Sequence, residues 1–306
     1  MKQVLKIGTR GSELAMWQTC YVKSLISGKF PGIKIEIKEI TTKGDLILDQ
    51  ELHKIGDKGL FTKELEKELL AGTIDAAVHS LKDMQVEMPE GLEIAAVTKR
   101  HNPLDALVSK DKGLSIQNLR QGAVVATGSL RRKAQLLALR PDLQITGLRG
   151  NINTRLSKYE NSGWDCIILA AAGLERLGKQ SYIAQYIPDD VIIPAVGQGA
   201  IAVQVSKSNT FAGEIISSII DINTFICTLA EREFLRVMGG GCRTPMAAHA
   251  KISGDNLVIS GLAAAEDGSS IIKNSVSGSI DLPDKAGAEL AEIILSSGAS
   301  AFINEY

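Results

Sequence analysis

The first hundred residues alternate between two hydrophobic periods. Residues 2–8 carry a short apolar run that predicts a strand. Ser12 then stands where a helix cap is favoured. Leu14, Trp17, Tyr21 and Leu25 recur at helical spacing, predicting a helix to about residue 27 with those four on one face. "IKIEIKEI" (33–40) alternates strictly, as a half-buried strand does. Thr62 is positioned to cap "KELEKELLAG", which Gly72 closes, and "DAAVHS" (75–80) reads as a short buried strand. Strands alternating with helices imply a parallel sheet covered by helices.

A second unit of the same kind follows "RHNPLD" (100–105). Its expected strands are 123–127, 143–148 and 165–170. Its helices are one that Pro141 closes, one around 152–160, and "AAGLERLG". "IPAVGQGAIAVQV" (193–205) reads as a return crossing followed by one more strand, so 194–220 is assigned back to the first domain. From about 222 the pattern changes to a helix (222–238), three strands separated by "SGDN" and "EDGSS", and a helix at about 284–297. The expected architecture is two periplasmic-binding-protein-like α/β domains with crossover connections, and a C-terminal α+β domain with a three-stranded antiparallel sheet. The boundaries are 1–99 with 194–220, 100–193, and 221–306.

Bulk composition narrows the chemistry. The 306 residues suffice for two or three domains, and 44% apolar with 23% charged residues is ordinary for a soluble globular chain. A formal charge of −1 and 4% aromatics argue against nucleic acid as a partner. No apolar run approaches the length of a membrane span, and the N-terminus has no signal-peptide core, so no membrane partner and a cytoplasmic location are expected. The four histidines are scattered and there is no HExxH, so no metal site is expected. No segment suggests oligomerisation, and a monomer is expected.

Against this near-neutral background certain arginines stand out. "TGSLRR" (127–132) places Arg131 and Arg132 in the first turn of a helix, where they oppose its dipole unless an anion is present. Arg149 follows the next strand, Arg155 lies a little further on, and "IGTRGS" leaves Arg10 and Ser12 at another strand exit. Ligands in open α/β sheets bind beyond the carboxyl ends of the strands. Arginine pairs bidentately with carboxylates and phosphates. The pattern points to a cleft for a polyanionic small molecule. The absence of GxxxxGK[ST] and GxGxxG makes a nucleotide a poor candidate. "VHSLKDMQ" adds Ser80, Lys82 and Asp83 at a further strand end, an acid beside bases that suits proton handling or cation stabilisation.

The cysteines divide into two kinds. Cys20, Cys166 and Cys227 sit in helix or strand patterns and read as small buried hydrophobes. Cys242 follows three glycines in "GGGC", which strip bulk from around its sulfur. An accessible thiol there is a nucleophile, a redox sensor or an attachment point.

The chain resembles the porphobilinogen deaminase (hydroxymethylbilane synthase) family over nearly its whole length. The resemblance is carried by "GTRGSELAMWQ", "TKGDLILD", "GDKGLFTKELE", "DAAVHSLKD", "TGSLRRKAQL", "LRGNINTRL", "DCIILAAAGLERLG", "PAVGQGA", "AERE" and "GGGC" in order. It implies a dipyrromethane cofactor in thioether linkage to Cys242, built from the enzyme's own substrate, porphobilinogen. Four porphobilinogen units are then joined head to tail with loss of ammonia, and water releases 1-hydroxymethylbilane. By the same resemblance Lys82, Asp83, Thr127, Ser129, Arg131, Arg132, Arg149 and Arg155 bind the cofactor. Arg10, Ser12, Arg149, Arg155, Lys58 and Gln198 bind substrate. Asp83 is the catalytic group that stabilises cationic pyrrole and moves protons. Two positions depart from the family: Gly128 replaces a common serine, and "KDMQ" replaces Asp-Val-Pro. The competing readings are a two-domain small-anion-binding protein of the periplasmic-binding type and a regulatory effector domain of the same fold.

Overall fold

The computed structural model describes residues 4–46, 59–239 and 245–303. The chain forms two compact units by internal contacts. One is residues 1–50, 55–101 and 199–225; the other is 51–54, 102–198 and 226–306.

In the first unit, β1 (Val4–Thr9), β2 (Lys34–Glu39), β3 (Ala76–Ser80), β4 (Leu92–Val97) and β10 (Ile201–Ser206) form a five-stranded sheet ordered β2-β1-β3-β10-β4. The sheet is mixed. β1, β2 and β3 are parallel, as expected, but β10 runs antiparallel to both β3 and β4. β4 was not anticipated from the sequence, because "LEIAAV" shows neither strict alternation nor turn residues tight on both flanks.

The second unit holds β5 (Asp105–Val108), β6 (Val124–Ala126), β7 (Gln144–Thr146), β8 (Cys166–Ala170) and β9 (Ile183–Ile187), ordered β7-β6-β8-β5-β9. Here β5 is the antiparallel member. The two sheets therefore share one plan, with the fourth position reversed. In each, that position is filled by the strand that follows the other sheet's last strand along the chain. This reciprocal exchange is the crossover expected of two periplasmic-binding-protein-like α/β domains.

The same unit contains the antiparallel sheet β11 (Met246–Ser253), β12 (Asn256–Ala264) and β13 (Ile271–Ser279). Two helices cover it. Ile222–Val237 contributes Ala230 and Phe234, and Pro283–Ile294 contributes Leu290 and Ile294, to one apolar cluster with Leu257 and Ile259. The β12–β13 turn lies against the helix Leu130–Leu139. A Cβ on Gly268 would stand 2.6 Å from the Ala134 carbonyl oxygen, and Lys133 pairs with Glu266 at 2.7 Å. This three-stranded sheet thus fixes the helix that carries Arg131 and Arg132.

Two local expectations need correction. The helix Glu13–Lys29 is capped by Ser12, whose Oγ accepts the Ala15 N–H. Its most buried line is Ala15, Gln18, Thr19, Val22 and Ile26, and Trp17, Tyr21 and Leu25 pack half-buried beside it. Gln18 and Thr19 are polar and so escape a hydrophobic count. They are buried because Gln18 donates to Ser80 Oγ (2.9 Å) and Thr19 to the Ala15 carbonyl (2.9 Å). Cys20 falls off that line and is exposed rather than buried, whereas Cys166 and Cys227 are buried as expected. Burial pushes the Cys166 thiol up to about 12, leaving it inert at neutral pH. Thr62 precedes the helix Lys63–Leu70 without a side-chain cap. The turn before it already satisfies the first donors, Lys63 N–H reaching the Gly59 carbonyl at 3.1 Å. No single helix among the described residues is long and apolar enough to cross a membrane.

Candidate active site

The first unit places a small cavity beyond the ends of β1 and β3. It is lined by Arg10, Ser12, Gln18, Phe61, Ser80 and Asp83 among others, and encloses about 70 Å³. Four residues singled out from sequence, Arg10, Ser12, Ser80 and Asp83, therefore share one wall system. Topology explains why. β1 ends at Thr9, so Arg10 and the cap Ser12 sit where the chain turns into its helix; β3 ends at Ser80 and passes into a 3₁₀ turn, Leu81–Asp83. Gln18 ties the two strand ends together through Ser80. Lys82 and Asp83 are exposed on that turn.

Arg10 is held by Asp45, to which Nε donates at 3.2 Å and Nη2 donates in an ion pair, and its guanidinium lies 4.2 Å from the centre of the Phe61 ring. Burial raises the Asp45 carboxyl, but hydrogen bonds from Arg10 and Thr42 outweigh it and leave the group below its ordinary range. His79, one residue before Ser80, is buried and pushed down to about 4, first by burial and then by the Arg10 charge, so it is neutral near pH 7. Sequence reading passed over Asp45, Phe61 and His79. All lie inside quoted motifs, but nothing in their spacing distinguished them from core or surface positions.

The second unit repeats the strand-end arrangement. Thr127 follows β6 and accepts the Ser129 N–H at 3.3 Å; Ser129 caps the helix Leu130–Leu139 by accepting from the Arg132 N–H. Arg131 and Arg132 point into the protein. Both are buried on Asp105, the first residue of β5. Arg132 donates to Asp105 Oδ1 through Nε (3.0 Å) and Nη2 (2.6 Å), and through Nη1 to the Ile168 carbonyl (3.1 Å). Arg131 Nη1 donates to the Ile193 carbonyl at 2.7 Å and is ion-paired with Asp105 Oδ2 at 2.8 Å. Gln198 Nε2 donates to Asp105 Oδ1 at 2.8 Å and to the Pro103 carbonyl at 2.7 Å. The anion that two first-turn arginines demand is thus supplied, in part, by the chain itself. Burial raises the Asp105 carboxyl, and the Arg131 and Arg132 charges overcome it, holding the group far below the usual carboxylate range. Asp105 likewise carries no sign of its role in the sequence pattern: it is a lone acid opening the apolar strand "DALV".

Arg149 and Arg155 are half-buried around the next strand exit. Arg155 Nε donates to the Gly150 carbonyl at 2.7 Å, and Asn151 caps the helix Ile152–Glu160. Lys58 and Cys242 lie outside the described residues. Among the described residues no group of three or more His, Cys, Asp or Glu could hold a metal ion.

Comparison with known proteins decides the family. The model "Porphobilinogen deaminase, dipyromethane cofactor binding domain" matches residues 5–214, and that family's C-terminal domain matches 225–296. The chain belongs to the porphobilinogen deaminase family. Relatives named porphobilinogen deaminase include one from Syntrophomonas wolfei, 48% identical over 98% of each chain. Another, from Chlorobium phaeobacteroides, is 44% identical over 100% of this chain and 98% of its own. Among solved structures, the methionine-binding protein MetQ aligns with a TM-score of 0.46 at 13% identity, over 72% of this chain and 90% of that one.

The family's cofactor is a dipyrromethane, whose ring carboxylates call for donors. Each unit by itself presents donors of that kind: Arg10 and Ser12 at a strand exit of the first, which also carries the exposed acid Asp83, and Thr127, Ser129, Arg149 and Arg155 in the second.

Proposed function

We propose that this chain is a hydroxymethylbilane synthase, a transferase that deaminates four porphobilinogen molecules, joins them head to tail and releases the linear tetrapyrrole. The observation that carries the reading is the shared cavity of Arg10, Ser12 and Asp83, two anion-binding groups beside one exposed carboxylate. Family membership over nearly the full length supports it.

Bound through Cys242, the dipyrromethane supplies the pyrrole carbon to which the first substrate ring is joined. Lys82, Thr127, Ser129, Arg131 and Arg132 hold its carboxylates and side groups. Arg131 and Arg132 do so with N–H groups left over from Asp105 and the backbone, a guanidinium having five. Arg10, Ser12, Arg149, Arg155, Lys58 and Gln198 serve the incoming substrate. Arg149 and Arg155 reach the cofactor as well. Asp83 accepts pyrrole N–H groups and stabilises the positive charge that develops as ammonia departs, because a fixed carboxylate opposes that charge without reorganising. The same group holds or passes the proton released when rings are joined.

The division into 1–99 with 194–220, 100–193 and 221–306 belongs to this reading; the change of family model between residues 214 and 225 supports its last boundary. So does a cytoplasmic monomer without nucleic-acid or membrane partners, to which the formal charge of −1 lends support for the nucleic-acid part. The test is turnover. Purified protein given porphobilinogen should release ammonia and a linear tetrapyrrole in a ratio of four to one by stoichiometry; a protein that binds porphobilinogen unchanged would be an anion-binding protein instead.

A further inference from the structure

We infer that Asp105 is a positioning residue: a buried anion that presets Arg131, Arg132 and Gln198 before any ligand arrives. This rests on the functional reading above, because the arginines matter only if they hold the cofactor.

Asp105 is 0% exposed, Arg131 6% and Arg132 5%. One carboxylate pairs with two guanidinium groups, Oδ2 with Arg131 at 2.8 Å and Oδ1 with Arg132 at 2.6 Å. The cluster therefore carries a surplus positive charge in a dry setting. Buried charge is costly unless paired. Without Asp105 the two guanidiniums would repel each other, and each would have rotamers to spare. With it, Oδ1 fixes Arg132 through two N–H groups and Oδ2 fixes Arg131, while carbonyls of Ile168 and Ile193 complete the orientation. The surplus charge is what remains for a ligand carboxylate. A single internal anion leaves the site ordered but still electropositive; two would neutralise it.

The same carboxylate also holds Gln198. The preceding residue, Gly197, donates its N–H to Glu231 at 2.8 Å. Consecutive residues of the "PAVGQGA" segment are thus tied to two buried acids on separate elements. Glu231 belongs to the helix Ile222–Val237, which leads along the chain to Cys242. Asp105 accordingly links the arginines to the segment entering the attachment loop.

The experiment uses full-length protein produced without cofactor and exposed to porphobilinogen, with covalent mass gain followed by intact mass spectrometry and folding followed by circular dichroism. Asp105→Asn keeps the shape and removes the charge. At a temperature where the variant is folded, its loading should slow by about tenfold or more, the loss expected when a charge-assisted contact to the ligand is no longer aimed. Asp105→Glu, which restores the charge, should recover part of that rate. A purely structural role predicts a lower melting temperature with wild-type loading, and that result would overturn the inference. Should Asp105→Asn fail to fold, Asp105→Glu carries the test alone, since it keeps the charge but moves the carboxylate by one methylene: slowed loading by the folded variant supports the inference and wild-type loading overturns it. Failure of the wild type to load would instead overturn the functional reading, and the positioning role with it.

Discussion

The backbone N–H of Gly197 donates to Oε2 of Glu231 at 2.8 Å, and the other oxygen of that carboxylate accepts the Ala250 N–H at 2.8 Å. Glu231 is fully buried, with His249 Nδ1 at 3.3 Å from Oε1. One side chain on a helix thus satisfies backbone donors from a connecting segment and from β11. Glu231→Ala leaves both donors buried and unpaired. Each costs about 1–3 kcal/mol, so the denaturant midpoint should fall sharply without a change in slope. A midpoint within error of wild type would show that water replaces the carboxylate.

The resemblance places a serine where this chain has Gly128, and the structure shows what that side chain would meet. A Cβ there would lie 2.5 Å from the Leu148 carbonyl oxygen. In this chain the exits of β6 and β7 run too close together for a side chain. Gly128→Ser should therefore destabilise by about 1–3 kcal/mol, the usual range for overpacking, and lower the melting temperature by several degrees rather than add a useful donor.

The fold was legible wherever period and punctuation agreed. Ser12, Pro141 and Gly72 mark real boundaries, and the three C-terminal strands fall between their predicted turns. Short strands opened by an acid or lacking alternation, β4, β5 and β9, were not legible. Neither was the reversed strand in each sheet, because direction is set by where the chain re-enters and not by local pattern. At the candidate site, the unfavourable placing of Arg131 and Arg132 was visible, but their answering anion lies 26 and 27 residues upstream in sequence and could not be paired with them by spacing. Cys20 was misjudged because a cysteine carries no mark of the helix face it occupies.

His79 supplies a pH signature. Its folded-state value of about 4 lies below the ordinary 6.5, so the unfolded chain binds the extra proton first. Stability from this group is fully present above about pH 6.5 and is lost progressively as pH falls towards 4. The loss amounts to about 3 kcal/mol at most by the conversion of pKa to free energy. His79→Gln should flatten the stability curve across that window relative to wild type, carboxylate titrations being common to both. Parallel curves would show that the imidazole is solvated.

The arginines should separate by position. Arg131→Leu and Arg132→Leu disturb a buried pair and should impair cofactor loading together with stability. Arg149→Leu and Arg155→Leu, at the half-buried strand exit, should slow loading less than Arg131→Leu and Arg132→Leu do and stall elongation at intermediate ring numbers. Lysine should rescue none of them fully, since it lacks the planar fork. Intact mass and melting temperature read both effects. Normal loading and chain-length distribution in all four variants would make them structural or surface residues.

Asp83 is exposed on its 3₁₀ turn, so Asp83→Asn should leave the melting temperature nearly unchanged while reducing turnover by orders of magnitude. A melting temperature that falls along with turnover would make the carboxylate structural.

The account's central claim is that a dipyrromethane grows on Cys242, and intact mass after exposure to porphobilinogen tests it most directly. Wild-type protein, and the variants Cys20→Ala, Cys166→Ala and Cys227→Ala, should each exceed their sequence mass by the two rings of the cofactor, while Cys242→Ala should stay at its sequence mass. An adduct on Cys242→Ala, or none on the wild type, would contradict it.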